Sequence, residues 1–577
     1  MFDTKQSQLF SVPVKTAKST STTSGVLNKG SAKPAFVQAA LVKSVQTRSG
    51  NGAVKLSSTL DPFVDQFGKL GTFKAPRPFA DICKDTETLW ADDRLTAVKF
   101  AAYLRTITRK VQLPDGTTTS ESQKGGELKF EPIMRMIWLS QKSPEVFWKN
   151  IGLFVALGSW HDIFSMLQYD LVYNGWENRK LDWNQMGNLI LSALDNPKTV
   201  DLVKKYLPQI KSRSACKSVE SQANCMIGKW ICSLLFGAKE NSFNYKKYRM
   251  LKTSGSAHDW QKLISQRQFD KIDFSKIHGR ALSLLVRSKF LKNQSLTEKY
   301  AAWVAKPETE VKYTGFVHEL FAGLPAVTGY GAKGLISIPQ HQQDTINKQF
   351  ATLVKKGKDE RKENQANFIV VRDTSGSMGS LATGTKESCY NVAKALALYF
   401  SEFLTGRFAD SWIEFNSTAQ MHTWKGNTPL EKWYNDPSNY VGSTNFQSVV
   451  TLFASLKKQG LDESEFPTGI LCISDGEFNP SMLGKTNVET ARTVLRLAGF
   501  SAEYVEKFQI VLWNLQSNAY GPTTGQKFET TADAPGTYYF SGYSASVISF
   551  LTGHEILTAR QLFDVAMEQE ILSMITL

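Results

Sequence analysis

The stretch Phe368-Ile369-Val370-Val371-Arg372-Asp373-Thr374-Ser375-Gly376-Ser377-Met378 decides the fold of the C-terminal part of this chain. A run of four apolar residues reads as a buried strand, and the residues after it turn at once through a small polar set. Asp-x-Ser-x-Ser at a strand end places one carboxylate and two hydroxyls on a tight turn, the all-oxygen set that a hard divalent cation such as Mg²⁺ prefers. Downstream, Gly442-Ser443-Thr444-Asn445 supplies another loop hydroxyl, and Gly469-Ile470-Leu471-Cys472-Ile473-Ser474-Asp475-Gly476 ends a second apolar strand in a carboxylate. Three short elements then converge on one ion. Loop caps at the carboxyl ends of a doubly wound sheet are the structural alternative, but a cap accounts for one loop and not three.

Further apolar strands are expected at Trp412–Phe415 and Phe508–Trp513, with helices between them. Val392, Ala393, Leu396, Tyr399, Phe400 and Phe403 recur at helical spacing, as do Val449, Leu452, Phe453 and Leu456. Strands alternating with helices predict a parallel sheet covered on both faces, running from residue 364 to 577.

The ordered set Asp373, Ser375, Ser377, Thr444 and Asp475 resembles the metal-ion-dependent adhesion site of von Willebrand factor A domains. The resemblance implies Mg²⁺ or Mn²⁺ as the bound ion. It also implies that some ligands act through water and that one coordination position is left for an acidic group on a partner protein.

At 577 residues the chain is long enough for at least two cores. No apolar run approaches the roughly 18 residues that a membrane span needs, and Met1–Ser7 lacks the pattern of a secretory signal, so an intracellular, cytoplasmic protein is expected, or a virion-associated one were the chain viral. The six cysteines form no CxxC pair, which points to reduced thiols. Net charge is +15, and it is unevenly spread: +7 over residues 1–60, +15 over 61–365 and −7 over 366–577. A positive surplus confined to one part of a chain suits a phosphate-backbone binder, and equally suits a merely soluble basic surface.

Residues 1–56 are rich in Ser, Thr, Lys and Gly and are expected to form a flexible basic arm. Residues 57–330 carry helical periodicity almost throughout, with stripes at Leu95, Val98, Ala101, Leu104 and Ile107, at Ile133, Met134, Ile137 and Trp138, and at Ile151, Phe154, Val155 and Gly158. A stack of antiparallel helices is predicted, of a kind that offers long surfaces to an extended ligand. Residues 331–363 are expected to be a helical linker. The expected architecture is therefore multidomain: an all-α helical-repeat (HEAT-like) module followed by an α/β doubly wound von Willebrand factor A domain.

Several short pieces follow one another in an order similar to the Ro ribonucleoprotein family, in which a helical ring called the TROVE module precedes an A domain. They are Asn51-Gly52-Ala53 with Leu60–Phe67, Gly158–Ile163, Tyr206-Leu207-Pro208, Tyr248–Leu251 and Ile272–Ile277. One departure stands out. Family members often carry a compact Arg/Gly-Gly-Lys-Gly stretch, whereas here Arg105–Lys110 is separated from Lys124-Gly125-Gly126 by a polar loop.

Candidate RNA-contacting groups are Lys204, Lys205, Lys211, Arg213 and Lys217, then Lys246, Lys247, Arg249 and Lys252, with Tyr245, Tyr248 and Trp230 nearby as candidate base platforms. Aromatic residues on amphipathic helices more often belong to a core. The seven histidines are scattered and no HExxH, P-loop or Gly-x-Ser-x-Gly motif occurs, so no catalytic residue is assigned. The resemblance implies a non-enzymatic RNA-binding protein whose basic helical module holds structured RNA or single-stranded ends and whose A domain docks an acidic partner through a divalent metal. Two alternatives stand beside it: a structural or protein-interaction component, such as that of a viral particle, and an A-domain subunit of a chelatase or ATPase assembly.

Overall fold

The computed structural model describes residues 46–48, 54–56, 58–74, 76–112, 117–237, 242–254, 259–277, 279–288, 293–313, 315–325, 337–359, 367–438, 442–476, 478–480, 486–516, 536–542 and 558–577. Most of the expected basic arm lies outside these residues. Within it, Gln46–Arg48 pairs antiparallel with Val54–Leu56. The chain divides into two compact units: residues 1–43, 76–257 and 565–577, and residues 44–75 and 258–564.

The first unit is helical. Among the described residues of 76–257 its helices are α1 (Phe79–Asp92), α2 (Arg94–Arg105), α3 (Glu131–Lys142), α4 (Pro144–Leu157), α5 (His161–Asn174), α6 (Trp183–Asp195), α7 (Val200–Tyr206), α8 (Val219–Phe236) and α9 (Ser242–Ser254). Each apolar stripe read from the sequence is a buried face: Val98, Ala101 and Leu104 on α2, Ile133, Met134 and Ile137 on α3, Ile151, Phe154 and Val155 on α4. Helices also begin where the chain supplies a cap, as with Asp93 accepting from Thr96 N and Asp182 from Gln185 N.

Two charged clusters are buried in this unit. Arg77 donates from Nε and Nη2 to both oxygens of Glu131, at 2.8 and 2.6 Å, and from Nη1 to Asp85 at 2.6 Å, while Arg135 Nε reaches Glu131 at 2.9 Å. Arg105 forms a bidentate pair with Asp162 at 2.7 and 3.0 Å. The polar loop after Arg105 folds back as a ladder, with bridges at Arg109–Gln123 and Gln112–Thr118, and Gly126 N then donates to Tyr103 O at 2.9 Å. Arg105 and Lys124-Gly125-Gly126, separated in sequence, are thereby rejoined in space. The C-terminal residues belong to this unit as well: Ile571 N donates to Gln123 and Asn150 Nδ2 to Thr576 O.

The second unit combines helices with a six-stranded sheet. Its strands are β1 (Phe368–Asp373), β2 (Ser411–Phe415), β3 (Ala419–Thr423), β4 (Gly469–Ser474), β5 (Gln509–Asn514) and β6 (Thr537–Ser541), in the order β3-β2-β1-β4-β5-β6. All neighbours are parallel except β2 and β3, an antiparallel hairpin at one edge. The strands β1, β4 and β5 are buried at every position, as expected of parallel strands covered on both faces. The strands at both edges, β3 and β6, are additions to those expected from the sequence. On one face Ile369, Val371, Ile413, Ile470, Cys472 and Ile510 pack on α16 (Gln447–Lys458) and α17 (Asn487–Leu497), through Val449, Phe453, Ala491 and Leu495.

Before the sheet come α10 (Asp259–Ser265), α11 (Gly279–Ser288), α12 (Gln294–Val304), α13 (Val317–Phe321) and α14 (Gln340–Asp359). The stretch read as a helical linker thus holds α14, and this helix is packed along its length. Tyr300 and Thr345 hydroxyls meet at 2.7 Å, and Phe350 lies against Phe321 and against Tyr399 of α15 (Cys389–Ser401).

The segment 58–74 docks on the edge of the sheet. Asp61 caps the helix Pro62–Gly68 and accepts from Arg560 at 2.8 Å, while Phe63 and Phe67 pack on Phe563. Gly71 then bridges Gly542, just past β6, so closely that a Cβ on either would stand 2.3 Å from the other's backbone carbon. Gly542 also has a φ of +72°, in the region L side chains avoid. Substituting Gly542→Ala is expected to cost about 3 kcal/mol, from backbone strain and overpacking together. Thermal unfolding followed by circular dichroism would register it as a lower melting temperature, and an unchanged melt would show that this contact does not hold the segment.

Candidate metal site and basic face

The proposed metal ligands of the first and third loops sit at the carboxyl ends of the adjacent strands β1 and β4, where a doubly wound sheet places its ligands. Asp373 and Asp475 are fully buried, Ser375 and Thr444 nearly so, and Ser377 is exposed. Asp373 Oδ1 accepts from Ser375 N at 2.8 Å, and its Oδ2 accepts from Ser474 Oγ at 2.5 Å. The hydroxyls of Ser375 and Ser377 lie 3.2 Å apart.

Backbone bonds join all three loops. Gly376 N reaches Gly442 O at 3.4 Å, and Asn479 N donates to Thr444 O at 2.9 Å. Gly476, after Asp475, adopts a φ of +84° with a virtual Cβ 2.3 Å from Asn514 Nδ2, so only glycine fits this turn.

Burial, and next the charge of Asp475, push the Asp373 carboxyl up to about 7, against the hydrogen bonds from Ser474 and Ser375 that pull it down. Two buried carboxylates near each other are costly unless a proton or a cation neutralises them. The donor set therefore fits a divalent ion held by two carboxylates and three hydroxyls. Among the described residues no group of three or more His, Cys, Asp and Glu is placed to hold a metal, so any ion here depends on the serine and threonine oxygens.

The groups that support this set are less visible in the sequence. Ser474 reads there as the last residue of a strand, although its place before Asp475 is the signal that it lies beside Asp373. Thr374 Oγ1 donates to Glu414 at 3.0 Å, and the other oxygen of Glu414 meets His422 Nε2 at 2.7 Å. On the same face as Glu414, its neighbour in the ladder, Arg372 is fully buried, donates to Asp436 at 2.9 Å and to Ser438, and lies over the rings of Trp412 and Tyr390. Lys394 reaches the same Asp436 at 3.3 Å, and burial lowers its pKa to about 8. This buried cluster anchors residues 436–438, on the approach to the loop of Thr444.

The candidate RNA-contacting residues all fall in the helical unit, and the candidate metal ligands in the other. Their two sequence clusters come together because α7 packs against α9. Lys205, Lys211, Lys217, Lys246, Lys247 and Arg249 are exposed. The Arg213 side chain lies outside the described residues.

Two expectations need correction. Lys252 is half-buried and donates to the carbonyls of Lys205 and Leu207, so it closes the end of α7, and burial lowers its pKa. Tyr248 is buried with its hydroxyl on Pro208 O at 2.9 Å, which removes it as a base platform. Trp230 packs edge-on against Trp183, with ring centroids 4.7 Å apart. Lys204, half-buried, stands 4.0 Å from Asp201. Among the described residues, exposed rings stand at Phe243, 63% exposed beneath Lys247, and at Trp176, stacked on Arg179 at 4.0 Å.

Residues 367–572, which span the sheet, match the model of a domain of unknown function, DUF7788. The chain is also similar to the uncharacterized protein L728 of Acanthamoeba polyphaga mimivirus, 21% identical over 492 residues that cover 81% of this chain and 78% of the viral protein. No helix among the described residues is long and apolar enough to cross a membrane. The six cysteines are free thiols.

Proposed function

We propose that this is a non-enzymatic RNA-binding protein of the Ro type, in which a TROVE-like, HEAT-like helical module holds RNA and a von Willebrand factor A domain docks an acidic partner through Mg²⁺ or Mn²⁺. The convergence of two basic clusters, some 40 residues apart in sequence, on the packed pair α7 and α9 carries this reading. Cations that track a backbone beside exposed rings suit single-stranded RNA. On the metal side, Asp373, Asp475, Ser375, Ser377 and Thr444 would hold the ion, which would attract a partner's carboxylate. The −7 charge of residues 366–577 disfavours a polyanion at that site and disfavours a short acidic peptide less.

Fluorescence anisotropy with a labelled single-stranded RNA tests the first half. The full chain should bind with an affinity that falls steeply with salt, by about 0.7 logarithmic units per neutralised phosphate for each tenfold rise. Reversing Lys205, Lys211, Lys246 and Lys247 to Glu should weaken binding by at least about a hundredfold and flatten the slope. Chelation with EDTA should leave the RNA bound. Unchanged affinity in the reversed variant, or release of RNA by EDTA without unfolding, would refute the two-site reading.

A second reading is a structural or protein-interaction component, such as that of a viral particle, that uses the metal site to grip an acidic partner; the similarity to a mimivirus protein bears on viral origin alone. That reading predicts no salt-sensitive RNA binding by the purified chain.

A further inference from the structure

Beside the basic face, a cavity of about 240 Å³ opens between α5, the segment after α7, and α8. It is too large for one water and smaller than the pockets that take drug-sized ligands, so it suits one flat polar ring. Buried Phe164 forms part of its floor, and the rings of His161 and Tyr206 meet edge to face in its wall at 5.7 Å. Gln209 and Asn224 also line it, and their side-chain amides make no hydrogen bond among the described residues. His161 Nδ1 is paired with Ser165 Oγ at 3.0 Å, which leaves its other ring nitrogen for a ligand. Lys211 is the charged residue of the lining, and no carboxylate belongs to it.

The wall is set in place before any ligand arrives. Tyr248 Oη holds Pro208 O, Cys225 Sγ holds Lys211 O at 3.4 Å, and Gln168 Nε2 donates to Glu220 O at 3.2 Å. With that backbone held, binding would order chiefly the side chains of exposed Gln209 and half-buried Asn224.

We infer that this cavity takes one unstacked base of a single-stranded RNA, with Tyr206 and His161 against the ring, Gln209 and Asn224 on its polar edge, and Lys211 on the adjoining phosphate. Aromatic surface selects a planar ligand, free amides select its donor and acceptor edge, and a lone cation without a carboxylate selects an attached anion. The inference rests on the RNA-binding reading and adds recognition of a base to one of phosphates.

The test compares two labelled oligomers of equal length and charge on the full chain: an oligouridylate and its abasic ribose-phosphate counterpart. Wild type should prefer the oligouridylate by about tenfold or more, the scale of one stacked base. Combined Gln209→Leu and Asn224→Leu should bring the two affinities together without changing the salt dependence, and Tyr206→Phe, which keeps the ring, should retain the preference. Equal binding of both oligomers by wild type, or a preference that survives in the double variant, overturns the base site while leaving phosphate-directed RNA binding intact. Failure to bind either oligomer overturns both readings.

Discussion

Replacing Asp373 by Asn should abolish calorimetric binding of Mg²⁺ or Mn²⁺ and raise the melting temperature of the metal-free chain. Both halves follow from one geometry. Asp373 is fully buried beside Asp475, and its pKa stands at about 7 against an ordinary 3.8. Between those values Asp373 in the folded, metal-free protein holds a proton that the unfolded chain has released, so this group's contribution to stability falls as pH rises through that window. The loss amounts to several kcal/mol, on the order of 1.4 kcal/mol for each pH unit that the window spans. An amide carries no charge to desolvate, so the variant escapes most of that loss.

A saturating divalent ion takes the proton's place in the wild type, so added Mg²⁺ should flatten the decline with pH and stabilise the wild type alone. Melts at about pH 5 and about pH 8, with and without Mg²⁺, separate the cases. Ordinary metal titration of the variant would remove Asp373 from the site, and a stability difference between variant and wild type that stayed constant from about pH 5 to about pH 8 would contradict the buried pair.

In the helical unit, Glu131→Ala should be the most destabilising single change, about 3–5 kcal/mol, because it leaves two buried guanidinium groups without their shared carboxylate. The side chains of Arg77, Glu131 and Arg135 are at most 2% exposed, so water cannot take over the lost bonds. Burial already lowers the Arg135 pKa, against the charge of Glu131 that raises it. Chemical denaturation of the full chain measures the loss. The triple replacement Arg77→Met, Glu131→Leu and Arg135→Met should recover most of it, since an apolar set of similar volume removes the charges together. A single variant as stable as wild type would mean that the cluster is hydrated in solution.

Much of the site is legible in the sequence because it is made of short, local signals. An apolar run followed by Asp-x-Ser-x-Ser announces a strand and a polar turn, and β1 and β4 do end at Asp373 and at Ser474 just before Asp475. The helical stripes are legible for the same reason: one face of α2, α3 or α4 is buried whatever it packs against, so its period is written in consecutive residues. The edge strand β3 carries a weaker signal. Met421 of β3 is 40% exposed, and the strand lacks the fully apolar character of the central ones.

Taken alone, the sequence determined the alternating strand and helix order of residues 368–513, the helical character of the preceding region, and a charge that changes sign between them. Each of these depends on residue type and near-neighbour spacing. Tertiary structure alone decided which distant groups meet. It rejoined Arg105 with Lys124-Gly125-Gly126 through a folded-back loop and committed Arg105 to Asp162. It turned Lys252 from a candidate phosphate ligand into a cap on α7, and set Ser474 against Asp373 across 101 residues. It also assigned residues 44–75 to the sheet unit and residues 565–577 to the helical one. Pairings of this kind depend on burial and on partners far along the chain, and local periodicity carries no information about either.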